Sequence, residues 1–295
     1  MKTKVPVVKA IKTPSSYVHP DAPYEMLPRH EFSMALIAPK GSGKTTTIVN
    51  LLDFYKGYFH TILVFSPTVE SDEKWDYAKQ QVYLSENKPL KKWIKELEEK
   101  KKKQDGLVKR GINTMELENM AGLNKPFDGK IGEDCFFDSY TDDGFEQLLI
   151  EQKNLINLLK AHNQPKYMAN RILIILDDLV GSALFSGTKG SFFKGFSTRH
   201  RHYSTSFLCV SQGYKEIPKT IRTNFTCLIL FEIGSNKELE VIYEEWQMGL
   251  KQDQWLEAYE HAIAEDYGFL FINYQREKRL RMMKNFSQYL FISPE

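Results

Sequence analysis

No run in this chain approaches the eighteen or so consecutive apolar residues of a membrane-spanning helix, and the first residues lack the apolar core of a secretion signal. Cysteine is scarce. The three present, Cys135, Cys209 and Cys227, have no paired spacing, which argues against a disulfide framework. Cys209 and Cys227 fall in apolar, strand-like runs, so the expectation is buried thiols in a reducing compartment. An excess of charge is missing too: 40 Lys and Arg against 38 Asp and Glu leave a formal net charge of +2. Any polyanionic partner must therefore be held by local patches, not by a field of one sign. What remains is an ordinary globular composition, 42% hydrophobic and 26% charged, over 295 residues. That is enough chain for one large domain or two small ones.

The most informative stretch is Phe32 to Asn50, FSMALIAPKGSGKTTTIVN. An apolar run, Ser33 to Ile37, reads as a buried strand, and Thr45 to Tyr55 as the helix after it. Between them lies a glycine-rich turn of the kind that cradles a nucleotide triphosphate. Gly41 and Gly43 let backbone N–H groups turn toward an anion, and the positive end of the helix strengthens that field. Pro39, Lys40, Gly41, Ser42, Gly43, Lys44, Thr45 and Thr46 are the expected nucleotide contacts. Lys44 is placed to reach the β- and γ-phosphates and the Thr45 hydroxyl to ligate Mg²⁺. The first glycine of the G-x-x-x-x-G-K-[ST] pattern is Ala38 here. That position serves a turn and not a phosphate contact, so the substitution weakens the pattern without cancelling it.

Further along, Arg171 to Leu176 is a near-continuous apolar run closed by Asp177 and Asp178. A carboxylate at a strand end suits the Mg²⁺ shell, which gives Asp177 the metal role. Asp178 is then the group that polarises an attacking water. An Asp-Asp pair can also simply open a turn. Thr61 to Phe65 is an extra strand expected between the phosphate-loop strand and the Asp177 strand. Thr205 to Val210, Thr226 to Phe231 and Gly268 to Tyr274 are additional apolar runs. Such runs alternating with helical patterns imply an α/β fold, a mostly parallel sheet sandwiched by helices. The run from Thr205 ends in Ser211 and Gln212. In additional-strand P-loop ATPases a polar residue there senses the γ-phosphate, and an amide can donate to phosphate while accepting from water. Capping of the strand end is the competing reading for Gln212.

Residues 1–30, rich in proline and lysine, read as an extended arm. Residues 31–295 read as one P-loop domain, interrupted at about 70–165 by a charged, mostly helical insertion. Within the insertion, Lys88 to Arg110 holds ten Lys and Arg against four Asp and Glu. That stretch is a candidate for sequence-independent phosphate contact, and the arm with Lys2, Lys4, Lys9 and Lys12 is another candidate for capsid or DNA contact. A solvated helix of interleaved Glu and Lys is the competing reading for the first.

With these blocks in place the chain resembles the poxvirus-type DNA-packaging ATPases of nucleocytoplasmic large DNA viruses and virophages, within the FtsK–HerA group of P-loop NTPases. The resemblance rests on APKGSGKTT at Ala38 to Thr46, ILIILDD at Ile172 to Asp178, RHYSTSFLCVSQ at Arg201 to Gln212 and IPKTIRTN at Ile217 to Asn224. It covers Leu27 to about Glu70 and Arg171 to about Tyr274, and is weak through the insertion. It implies an ATP- and Mg²⁺-dependent homo-oligomeric ring, a hexamer by expectation, that drives double-stranded DNA into a capsid. Lys44, Asp178, Gln212 and Arg201 would form its catalytic set, with Arg201 reaching a neighbouring subunit's nucleotide. Arg199 and Arg222 are alternatives for that arginine. The resemblance also implies a capsid or portal-vertex partner and a place in the virion or the viral factory in the host cytoplasm. The acid beside Asp177 is aspartate, whereas glutamate is common in the wider motor group. A P-loop kinase of a small acceptor would also use Lys44 and Asp177, but leaves the Arg201–Gln212 block without a role. An ATP-dependent assembly scaffold with little turnover is a third reading. The His200/His202 pair lacks further ligands nearby and does not make a metal site.

Overall fold

A computed structural model describes residues 19–104, 127–179, 182, 184–185 and 192–291. The outer arm with Lys2, Lys4, Lys9 and Lys12 lies outside the described residues, as do Lys109 and Arg110. Nine strands form one sheet in the order β3-β2-β4-β5-β1-β6-β7-β8-β9. They are β1 (Ser33–Ile37), β2 (Thr61–Phe65), β3 (Phe136–Phe137), β4 (Ile172–Asp177), β5 (Thr205–Ser211), β6 (Cys227–Leu230), β7 (Leu270–Asn273), β8 (Met282–Lys284) and β9 (Gln288–Tyr289). The six strands from β3 to β6 pair in parallel. The last apolar run does extend the sheet as expected, but antiparallel, and it continues into β8 and β9.

Strand alternation divides the apolar residues between two faces. Ala35, Ile37, Ile174, Leu176, Phe207 and Cys209 join one core. Met34, Leu36, Leu173, Ile175, Leu208 and Val210 join the other. Both faces are covered, which is why the central strands read as unbroken apolar runs. The helices α1 (Lys44–Phe54) and α2 (Glu73–Gln80) close one face through Ile48, Leu52 and Trp75. The helices α4 (Asp142–Ala161), α5 (Phe192–Arg199), α7 (Asn236–Trp246) and α8 (Gln252–Ile263) close the other through Phe145, Phe196, Ile242 and Trp255. A four-residue helix, α6 (Lys219–Arg222), leads into β6.

In space the strand between β1 and β4 is β5, while β2 lies beyond β4. The strand that separates the phosphate loop from the twin acids is thus β5, which leads into Gln212, and not Thr61–Phe65 as expected. The insertion contributes to the sheet as well as to its surroundings: β3 pairs with β2, and Phe137 stacks on Phe65 with centroids 4.8 Å apart. Its charged helix α3 (Lys88–Gln104) buries Leu90, Trp93 and Ile94 against Leu155, Ile156 and Leu159 of α4. That spacing of three and four residues makes it a half-packed helix with one solvated face. Residues 19–30 form no helix or strand, yet Leu27 and His30 are buried, His30 against the start of β5. Among the described residues no helix is long and apolar enough to cross a membrane.

Candidate functional site

The register of the three central strands brings their ends together. Ile37 of β1 is level with Ser211 of β5, and Asp177 of β4 with Val210. The ladder runs one residue further, with Ala38 N–H donating to Ser211 O at 3.1 Å and Asp178 N–H to Val210 O at 3.2 Å. The phosphate loop, the twin acids and Gln212 therefore emerge side by side, a crevice beyond the carboxyl ends of parallel strands.

The loop Ala38–Gly43 is held by Ser42, whose N–H and hydroxyl both donate to Pro39 O, at 3.3 and 2.6 Å. Gly41 and Gly43 have φ of +85° and +91°, backbone states that favour glycine. Gly43 caps α1, so Lys44 is the first helical residue and no acidic side chain occupies the first turn. The free N–H groups and positive potential of the helix start face the crevice without competition.

Three predicted residues meet on a single oxygen. Lys44 Nζ lies 3.1 Å from Asp178 Oδ2, and Gln212 Nε2 donates to the same oxygen at 2.9 Å. Asp178 sits at φ +51°, an uncommon state for a non-glycine residue. Asp177 is different in kind. It is buried, with 3% of its surface exposed, and Ser66 donates to its Oδ2 at 2.8 Å. Its Oδ1 is buried without a hydrogen-bond partner among the described residues. Burial pushes its pKa up, opposed by the Ser66 hydrogen bond and the charge of Lys44. A buried carboxylate with one oxygen unpartnered among the described residues fits a divalent cation, which would supply the missing partner; Thr45, half-buried, stands in the first turn of α1.

Ser66 went unassigned in the sequence. It is the residue after β2, and the pairing of Phe65 with Leu176 sets it beside Asp177. A polar residue at the close of an apolar run was the available signal. Tyr267 went unassigned too; its ring comes within 3.3 Å of where a β-carbon on Gly43 would stand.

The three candidate arginines separate cleanly. Arg222 is buried, lies 2.9 Å from Glu245 Oε1 and stacks on Tyr214 at 4.7 Å, so it belongs to the core and is corrected as a trans-acting candidate. Arg199 folds back on its own helix, its Nε donating to Gly195 O at 3.1 Å. Arg201 is exposed, and its guanidinium forms no hydrogen bond or ion pair among the described residues. Its backbone carbonyl accepts from Lys166 Nζ. His200 points inward to Ser197 O and Glu31 O, each at 3.1 Å, which takes it away from any chelate with His202. No metal-holding cluster of His, Cys, Asp and Glu occurs among the described residues. Cys209 and Cys227 are buried free thiols, as expected.

Residues 120–264 match the family model of the poxvirus A32 protein. The family resemblance is to poxvirus A32. The matched span takes in α4, both acids, Arg201 and Gln212, and it begins inside the insertion, where the motif-based resemblance was weak. The phosphate loop lies outside it and is recognised by its own residues. No curated protein matches the chain. Among solved structures, the genome packaging NTPase B204 of Sulfolobus turreted icosahedral virus 2 in complex with AMP is 13% identical. The alignment covers 83% of this chain and 93% of that one, with a TM-score of 0.46. B204, the DNA-packaging ATPase from Sulfolobus Turreted Icosahedral Virus, is 14% identical over 83% of this chain and 94% of that one, with a TM-score of 0.47. EssC (ATPases 2 and 3) from Geobacillus thermodenitrificans is 13% identical over 67% of this chain and 31% of that one, with a TM-score of 0.31.

Proposed function

We propose that the chain is an ATP-hydrolysing motor that moves double-stranded DNA into a viral capsid. The observation that carries the ATPase reading is the meeting of Lys44, Asp178 and Gln212 beside the Gly43 turn, next to the unpartnered Oδ1 of Asp177. The packaging reading rests on the A32 resemblance.

The N–H groups of Gly41 to Thr45 hold the phosphates, and Lys44 exchanges Asp178 for the β- and γ-phosphate oxygens. Asp178, released from that pair, accepts a proton from the attacking water, while Gln212 orients water and terminal phosphate. Water adds to the γ-phosphorus, the bond to the ADP oxygen breaks, and phosphate and ADP leave. Thr45 and Asp177 would hold Mg²⁺, which when bound lends positive charge to the phosphate oxygens.

Arg201 precedes β5 and Gln212 follows it. The seven residues of that strand span roughly 23 Å at 3.3 Å per residue, so Arg201 cannot reach its own subunit's crevice. Its guanidinium serves a neighbouring copy in a ring, a hexamer by expectation, meeting the charge that spreads over the transferred phosphoryl. The solvated face of α3 and the arm of residues 1–30 contact DNA phosphates without reading bases. A capsid or portal-vertex protein anchors the ring, in the virion or the viral factory.

DNA-dependent hydrolysis tests the whole. Phosphate release by the purified chain is expected to rise on adding double-stranded DNA of any sequence. Hydrolysis indifferent to DNA at every salt concentration sinks the motor, and transfer to a nucleoside acceptor would make it a kinase.

A further inference from the structure

A triphosphate whose terminal phosphate lies toward Asp178 and Gln212 directs its sugar and base the other way. The acids stand on the β4–β5 side of the phosphate-loop strand. The remaining direction is across β1 toward β6 and β7. On that side the structure has a cavity of about 810 Å³ that shares Gly43, Lys44 and Thr45 with the phosphate site. Its other walls include Thr46, Asn50, Phe54, Tyr267 and Phe286. A volume of this size suits a nucleoside.

Tyr267 is 70% exposed, a large aromatic presented to solvent at the edge of the phosphate loop. It takes a left-handed backbone, φ +62°, which is uncommon for a bulky residue. The following residue fixes that turn. A β-carbon on Gly268 would come within 2.6 Å of Ala262 O and 2.9 Å of Glu265 O, and Gly268 N–H donates to Glu265 O at 2.8 Å. The backbone that carries the ring is fixed by this turn. The cavity floor is fixed as well: Phe286 packs edge-on against Phe54 at 5.7 Å and against Phe269 at 5.0 Å. Asn50, on the exposed side of α1, makes no hydrogen bond through its amide among the described residues.

We infer that this cavity is a purine subsite in which Tyr267 stacks on the base and the Asn50 amide reads its edge. The inference rests on the proposed ATP site and names the part of the nucleotide that site prefers. Adenine sets a donor, its N6 amine, beside the N7 acceptor, which a carboxamide matches with both its groups. Guanine offers two acceptors there, O6 and N7, and leaves the amide oxygen facing a lone pair. The aromatic face alone would take any base, so Tyr267 supplies affinity and Asn50 the choice.

Calorimetric titration of the full chain with Mg-ATP, Mg-GTP and magnesium tripolyphosphate tests this. Wild type is expected to bind ATP tighter than GTP, and both tighter than tripolyphosphate. Tyr267→Ala should weaken ATP about tenfold or more and leave tripolyphosphate unchanged, while Tyr267→Phe keeps wild-type affinity. Asn50→Leu should bring ATP and GTP within about twofold of one another. The subsite is overturned, with the phosphate site intact, if wild type binds ATP and tripolyphosphate equally, or if Tyr267→Ala spares ATP or weakens both ligands alike. A chain that binds none of the three overturns the phosphate site, and this inference with it. Circular dichroism matching wild type confirms that each variant is folded.

Discussion

Two polar clusters occupy the opposite ends of β5 and are built to opposite rules. At the amino end, His30 bonds to the Ser206 hydroxyl and the Ser204 carbonyl, each at 2.8 Å, and Glu31 N–H donates to Ser206. Lys166 Nζ bridges the Glu31 carboxylate and the Arg201 carbonyl, tying the end of the insertion to the arginine turn. His200 faces two carbonyl oxygens and, while neutral, donates to one of them. At the carboxyl end the reverse holds: a lysine and an amide share one aspartate oxygen, and a second aspartate keeps a buried oxygen with no partner among the described residues. Saturated polar networks hold one arrangement. Contacts that share an acceptor can be exchanged for better ones when a ligand arrives. On the proposed reading, one end is scaffold for Arg201 and the other is working surface.

Breaking the working end should have the largest effect. Lys44→Ala or Asp178→Asn is expected to bring phosphate release down to background, with far-ultraviolet dichroism unchanged. Arg201→Ala should reduce hydrolysis about a thousandfold. Mixing it with Lys44→Ala chains should restore activity above either alone, because a mixed ring contains sites with an intact loop facing an intact arginine. No recovery across mixing ratios would return Arg201 to a surface role.

Arg222→Ala probes the correction made for that residue. It leaves Glu245 partly buried without its cation, and the expected cost is about 3 kcal/mol of stability in urea unfolding. Full stability with lost hydrolysis would instead restore it as a catalytic candidate. The amino-end histidines predict acid lability. Burial holds His30 well below its usual 6.5, lowers His60 to about 3, and lowers His200. Below pH 6.5 the unfolded chain takes up protons that these folded sites refuse. Their contribution to stability is complete above that pH and is lost as pH falls toward the folded values. The urea midpoint should drop steadily between pH 7 and pH 5. The smallest effect is expected at Asp177. Its raised pKa marks a carboxylate whose charge is disfavoured by burial, so Asp177→Asn should slightly raise the melting temperature of nucleotide-free protein. The same change should abolish any further rise on adding Mg-ATP.

The working end was largely legible in the sequence, and the scaffold end was not. Ser33–Ile37 and Thr61–Phe65 are the strands expected, because fully buried parallel strands leave unbroken apolar runs. Gly43-Lys44-Thr45 and the twin acids announce themselves by local order. Ser66 does not, since its role depends on the register between β2 and β4. Arg222 reads as a free cation until Glu245, 23 residues on, folds against it. The two-residue β3 is too short to show a period, and Glu31, Lys166 and His200 meet only through tertiary packing.

The left-handed backbone at Asp178 bears on why the acid there is short. Aspartate and asparagine enter that region more readily than longer side chains, because a short polar group can bond locally. A glutamate placed there would gain reach and lose conformational ease together. The side chain that suits this position is thus set by the main chain beneath the carboxyl as much as by the chemistry above it.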